Sequence, residues 1–150
     1  MPRKSGLALL AMLLPLLGGC ASGLAEHDSP ANNSGERLVK ARMLLRTDPA
    51  QAAQLLSATV ASSPHDPVAL GDLGIALDLL GKHADAQAAY RQALAVKPDL
   101  RAARVNLALS LALDGHADGA LETIAVIGPA ATSSPVELAD VAAVHALAGR

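Results

Sequence analysis

Apolar positions along this chain recur with two periods. Within a segment they fall three and four residues apart, as Leu70, Leu73 and Leu77 do, which lines them along one face of a helix. Between segments the pattern returns at one constant, longer step: Leu73, Leu107 and Val141 form one series, Ala52, Ala86 and Ala120 a second, and Leu56, Tyr90 and Ile124 a third. Gly81, Gly115 and Gly149 close successive segments at the same step. The periodicity predicts helices over 35–46, 49–62, 67–80, 84–96, 100–113, 117–126 and 135–148. Start signals agree with these limits. Asp48-Pro49 and Asp66-Pro67 each place a capping side chain before a proline at the first helical position. Ser134-Pro135-Val136-Glu137 has the spacing of a capping box. Strand formers are few and scattered, so the expected fold is all-α.

A helical pattern repeating at about 34 residues is the mark of stacked helix-turn-helix units, each burying its apolar face against its neighbours. The clearest unit, PVALGDLGIALDLLGKHADAQAAYRQALAVKPDL from Pro67 to Leu100, closely resembles a tetratricopeptide repeat. Leu70, Leu73, Gly74, Leu77, Gly81, Ala86, Tyr90, Ala93 and Pro98 stand at the positions that define that family. Gly74 and Ala86 are expected to be small because the two helices of a unit cross there. Tyr90 is expected to fill the gap between units, and Pro98 to start the next unit after a break in the helix. The following unit, Arg101 to Ser134, keeps Leu107, Ala108, Leu111, Gly115, Ala120 and Ile124, with Gly128-Pro129 ending its second helix early. The preceding one, about Asn33 to Asp66, is degenerate and carries Val39-Lys40 and Thr47 where Leu-Gly and the turn glycine are usual. The resemblance implies a right-handed α-solenoid of about three units plus one terminal helix, over residues 34–150. That terminal helix carries Val136, Leu138, Val141, Val144 and Leu147 on more than one side. Either the array continues beyond it or this surface meets a partner.

The N-terminus reads differently. Arg3 and Lys4 precede an uncharged, mostly apolar stretch from Leu7 to Gly19, interrupted by Pro15. A spanning helix needs about 20 residues. This stretch is too short for that and has the layout of a secretory signal. Leu17-Gly18-Gly19-Cys20 resembles a bacterial lipobox, and Cys20 is the sole cysteine. The resemblance implies cleavage of residues 1–19 and a diacylglycerol on Cys20; the competing reading is an ordinary signal with an incidental cysteine. Ala21, not Asp, follows the cysteine, which by the familiar sorting rule favours the outer membrane, facing the periplasm. Residues 20–33 are polar and aperiodic after the cysteine and read as a flexible tether, with an r.m.s. reach of roughly 20 Å.

Composition narrows the function classes. Half the residues are hydrophobic (51%), yet the chain has no Trp, no Phe and one Tyr, as suits closely packed Ala/Leu helices. With Arg3 and Lys4 removed from its 12 basic residues, 10 face 14 acidic ones, and no basic patch is interleaved with aromatics. Nucleic acid is therefore excluded as an expected partner. His83 and His116 fall in corresponding turns without metal-ligand spacing and read as solvated turn residues. His145 stands where Leu77 and Leu111 stand and is expected to be partly buried. Ser110 lies in mid-helix with no nucleophile elbow, and Asp72 and Asp78 are too far round one helix for a shared acid-base site. The expectation is a protein that is not an enzyme, with no cofactor, no metal and no small-molecule substrate.

First helices line the concave face of such a stack. By register that face presents Gly71, Asp72, Ile75, Asp78 and Leu79 from one unit and Val105, Asn106, Leu109 and Leu113 from the next. These are the candidate partner-binding residues, suited to an extended or helical peptide with basic groups near Asp72 and Asp78. The alternative is that both aspartates only keep an open face soluble. The lipobox, the tether and the stretches DLGIALDLLGKHADAQAAYRQAL and NLALSLALDG, over roughly residues 7–148, resemble the TadD-type lipoproteins of Flp (tight-adherence) pilus assembly. That resemblance implies an outer-membrane lipoprotein whose partner is a protein of the cell envelope, the pilus secretin. A type IV pilus pilotin and a general envelope scaffold are the alternatives.

Overall fold

The computed structural model describes residues 30–127 and 135–149 and holds seven helices among them. These are α1 (Pro30–Leu44), α2 (Pro49–Ser62), α3 (Pro67–Leu79), α4 (His83–Val96), α5 (Arg101–Leu113), α6 (Ala117–Ala125) and α7 (Pro135–Ala148). The expected signal 1–19, Cys20, most of the tether, the Ser134 cap and the Gly128-Pro129 break lie outside the described residues. Each helix packs on its neighbours in the chain, and α3 also touches α5, and α5 touches α7. Three helical hairpins and a single last helix thus stack side by side, an α-solenoid without strands among the described residues.

Local chemistry sets the boundaries. Asp48 accepts the Gln51 N–H at 2.9 Å, and Asp66 accepts those of Val68 and Ala69 at 2.9 and 3.2 Å. Each satisfies donors that the first helical turn leaves without a partner. Gly81 and Gly115 have φ of 71° and 83°, the left-handed conformation that ends a helix cheaply only at glycine. Around Gly81 the Lys82 N–H reaches the Leu77 carbonyl and the Gly81 N–H reaches Asp78, closing α3. Gly149 shares the period but not the device: it lacks a left-handed φ, and its N–H continues to the His145 carbonyl.

α1 begins at Pro30, ahead of the expected start at 35, so the helix takes in the end of the expected tether. A local bond to this extra turn and a tertiary one beside it both come from Arg37. Arg37 donates to the Asn33 carbonyl at 3.0 Å and to the Ser62 hydroxyl at 3.0 Å, tying the start of α1 to the end of α2.

The core is built from alanine and leucine in two clusters. Ala41, Ala52, Leu56 and Ala76 hold the first hairpin to α3, and Leu70, Ala86, Tyr90, Leu107, Leu111, Ile124 and Val144 carry the packing from α3 through α7. At Gly74 the expected close approach of α3 and α4 is met by Tyr90 of α4: a Cβ on Gly74 would lie 2.6 and 2.7 Å from ring carbons of Tyr90. Tyr90 in turn lies over α3 of its own hairpin and is not only a filler between units. His145 is exposed, although its repeat equivalents pack, because nothing follows α7 among the described residues to cover it. Of the apolar residues of α7, Val144 is buried while Val141 and Leu147 are half-buried against the same core; the side chains of Val136 and Leu138 lie outside the description.

Candidate functional site

First helices α1, α3 and α5 form a groove of two adjoining concavities, each of about 230 Å³. One is lined by Arg42, Gly71, Asp72 and Ala102 among others, the second by Asp78, Leu79, Tyr90, Leu109 and Leu113. Ile75 and Asn106 border both and join them. Helical spacing explains the alignment, since Asp72, Ile75 and Leu79 step by three and four along α3, and Asn106, Leu109 and Leu113 do so along α5. Leu79 is 54% exposed and Leu113 50%.

Eight of the nine expected groove residues therefore line one surface. Val105 does not: it is 2% exposed and belongs to the core, because one step along α5 turns its side chain about 100° away from the groove-lining Asn106. Arg42, from the degenerate first unit, lines the groove and was not expected there. Its Nε donates to Asp72 at 2.6 Å. Only a contact between two different repeats could have revealed this pairing, and no periodicity reports it.

Asp78 is not a solvated groove charge. Its Oδ1 accepts the Ser110 hydroxyl at 2.7 Å and faces His83 Nδ1 at 2.8 Å, while its Oδ2 accepts the Tyr90 hydroxyl at 3.0 Å. The carboxylate thus joins α3, α4 and α5 at the floor of the groove. His83, expected as a free turn residue, is half-buried here. His116 remains exposed beside Asp114, at 3.3 Å. A serine, a histidine and an aspartate meet, but Ser110 and His83 both address the same carboxylate oxygen. A nucleophile needs its hydrogen bond to the imidazole instead, with the carboxylate behind it. Buried Gln87 adds a further link, donating to Asp114 at 3.1 Å across to the end of α5. Among the described residues no group of three or more His, Cys, Asp or Glu could hold a metal ion.

With Asp72 paired to Arg42 and Asp78 saturated from within, the groove presents apolar side chains and little free charge. The expected preference for basic groups near the two aspartates is withdrawn. Tyr90 records the same environment: burial, then the charge and hydrogen bond of Asp78, and last the charge of Asp72, push its phenol far above the ordinary tyrosine range. A folded-state pKa above the unfolded value of about 10 means stability that is complete below pH ~10 and declines as pH rises beyond it. As Tyr90 is the only tyrosine, an alkaline titration should show tyrosinate absorbance emerging together with loss of helicity, and Tyr90→Phe should lessen the alkaline decline. Ionisation near pH ~10 with helicity intact would show that the phenol is not held in this network.

No protein-family model matches the chain. An uncharacterized protein, y4yS, of Sinorhizobium fredii is 37% identical over 96 residues, covering 63% of this chain and 51% of that protein. The chain thus spans about half the length of this curated relative. Among solved structures, the Sgt2 TPR domain from Aspergillus fumigatus superposes with a TM-score of 0.69 over 79% of each chain at 18% identity. The fold is that of a tetratricopeptide-repeat domain.

Proposed function

We propose that this chain is a lipid-anchored protein-docking module of the cell envelope, serving Flp-type pilus assembly at the secretin. The observation that carries the docking role is the groove along α1, α3 and α5, where Leu79 and Leu113 stand half-exposed beside Ile75 and Leu109. Contiguous apolar surface of this kind costs solubility and marks interaction sites. A partner helix or extended segment with apolar side chains at helical or alternate spacing suits it. The lipobox at Cys20 and the Ala21 that follows support attachment at the outer membrane, facing the periplasm. The wording shared with TadD-type lipoproteins supports the pilus assignment.

Leu79→Glu combined with Leu109→Glu should abolish co-purification of the secretin while far-UV helicity is retained. His116→Ala, in an exposed turn, should leave it unchanged; His83 is unsuitable as a control because it contacts Asp78. Retained secretin binding by the glutamate pair would remove the groove from the proposal.

The anchor is tested separately. Cys20→Ser should abolish labelling by fatty acid and move the protein from the membrane to the soluble or uncleaved exported fraction. Unchanged outer-membrane fractionation together with continued labelling would overturn the lipoprotein reading.

A further inference from the structure

The exposed face of α1 does not belong to the groove. Val39 and Met43 lie one turn apart on it and are 60% and 76% exposed. They are the first unit's equivalents of Leu73 and Leu77, positions that the next unit uses for packing. At the first unit no preceding hairpin covers them among the described residues. Lys40 on α1 and Arg46 in the turn that follows it lie beside this pair in the chain, both exposed and without a salt bridge among the described residues, while Arg42 is held by Asp72 and Glu36 is the one carboxylate of α1 among the described residues.

Charge is segregated along the stack. From Glu36 to Arg46 there are four cations and one carboxylate, whereas from Val105 to Gly149 there are five carboxylates and neither Lys nor Arg. Ten peptide steps separate Cys20 from Pro30, a span of ~35 Å at most. The basic end of the solenoid is therefore the end that an acyl anchor on Cys20 holds next to the bilayer.

We propose that α1 rests on an anionic phospholipid surface, with Met43 and Val39 entering the headgroup boundary and Lys40 and Arg46 pairing with lipid phosphates. This rests on the lipid anchor proposed above. Basic residues flanking a small apolar patch bind such surfaces through both terms, and the electrostatic one acts only within a Debye length. The acidic end, Val105 to Gly149, carries no Lys or Arg that would hold it to the same surface, so contact through α1 alone leaves the groove open to a partner.

The test uses the mature acylated chain in vesicles. In a Met43→Cys variant the new thiol is the single free one, since acylation occupies Cys20, and it takes an environment-sensitive dye. In phosphatidylglycerol-containing vesicles the dye should shift to the blue and be quenched by nitroxide-bearing lipid, and in pure phosphatidylcholine it should not. Adding Lys40→Glu and Arg46→Glu should cut the quenching roughly tenfold, as should high salt. The same dye at Leu113→Cys should stay unquenched. A Met43 dye that is never quenched, on chains that stay on phosphatidylcholine vesicles, overturns the bilayer contact and leaves the anchor standing. A blue shift without lipid quenching assigns the face to a protein and also overturns it. Mature chains lacking the acyl mass, yet sedimenting with phosphatidylglycerol vesicles in a manner dependent on Lys40 and Arg46, overturn the anchor and sustain the contact.

Discussion

Asp78→Ala should lower the unfolding free energy by about 3 kcal/mol, as read by urea denaturation, because buried donors left without an acceptor cost ~1–3 kcal/mol each. Three groups lose their bond to the carboxylate at once, the Tyr90 hydroxyl, the Ser110 hydroxyl and His83, and Ser110 keeps only a long contact to the His83 carbonyl at 3.5 Å. Tyr90 is 1% and Ser110 0% exposed, so water reaches neither readily. The loss falls short of three full penalties because the Asp78 side chain is itself 17% exposed and His83 25%. Asp78→Asn keeps the size and one acceptor and should cost less. In an Asp78→Ala background, Tyr90→Phe should do little further harm, since the two share one interaction. A change below ~0.5 kcal/mol for Asp78→Ala, the range of an ordinary surface substitution, would mean that these side chains find other partners. The repeat equivalents of Asp78 are Leu44 and Ala112, and those of Ser110 are Ala76 and Val144. This network is thus built only at the middle junction of the stack.

Gly74→Ala should destabilise by roughly 1–3 kcal/mol, the usual cost of overpacking, although alanine is the better helix former by up to ~1 kcal/mol. The sign is the informative part. The added Cβ would come within 2.7 Å of the Tyr90 ring, which is rigid and buried, so the α3–α4 hairpin must spread. Gly71, one turn earlier on α3, has nothing within 4 Å of its would-be Cβ. Gly71→Ala should therefore be neutral or stabilising. In a Tyr90→Leu background Gly74→Ala should cease to be harmful, because the next hairpin already pairs Ala108 with Ile124 at the same two positions. Thermal melts of the four variants decide it. A harmless Gly74→Ala in the parent chain would place the α3–α4 contact elsewhere.

Both predictions concern residues that the repeat period singled out without showing which side chain each one meets. Periodicity reports which face of a helix is buried, and for Gly74, Tyr90 and Ala86 it was right in that respect. It does not report which neighbour a face meets, because Tyr90 can lie toward its own hairpin or the next without altering any spacing. Asp72 and Asp78 show the same limit for polar groups. Each sits at a groove position by register, yet one is held by Arg42 and the other by three donors from α4, its leading turn and α5. Those partners are 30, 5, 12 and 32 residues away.

Local chemistry was enough wherever the cause lies within one turn of the chain. The Asp48 and Asp66 caps, the left-handed Gly81 and Gly115, and the limits of α2 through α6 to within a residue all follow from neighbouring residues. So does the division into hairpins, since each unit repeats its own punctuation. Tertiary structure decided whether His145 packs, which turned on the absence of a covering helix among the described residues, and it adds to local bonding near the start of α1, where Arg37 reaches both Asn33 and Ser62. It also decided that Val105 leaves the groove and that the groove is nearly neutral. Burial of a side chain and the pairing of a charge are properties of what folds against it, and an amphipathic pattern specifies only the side from which that contact comes.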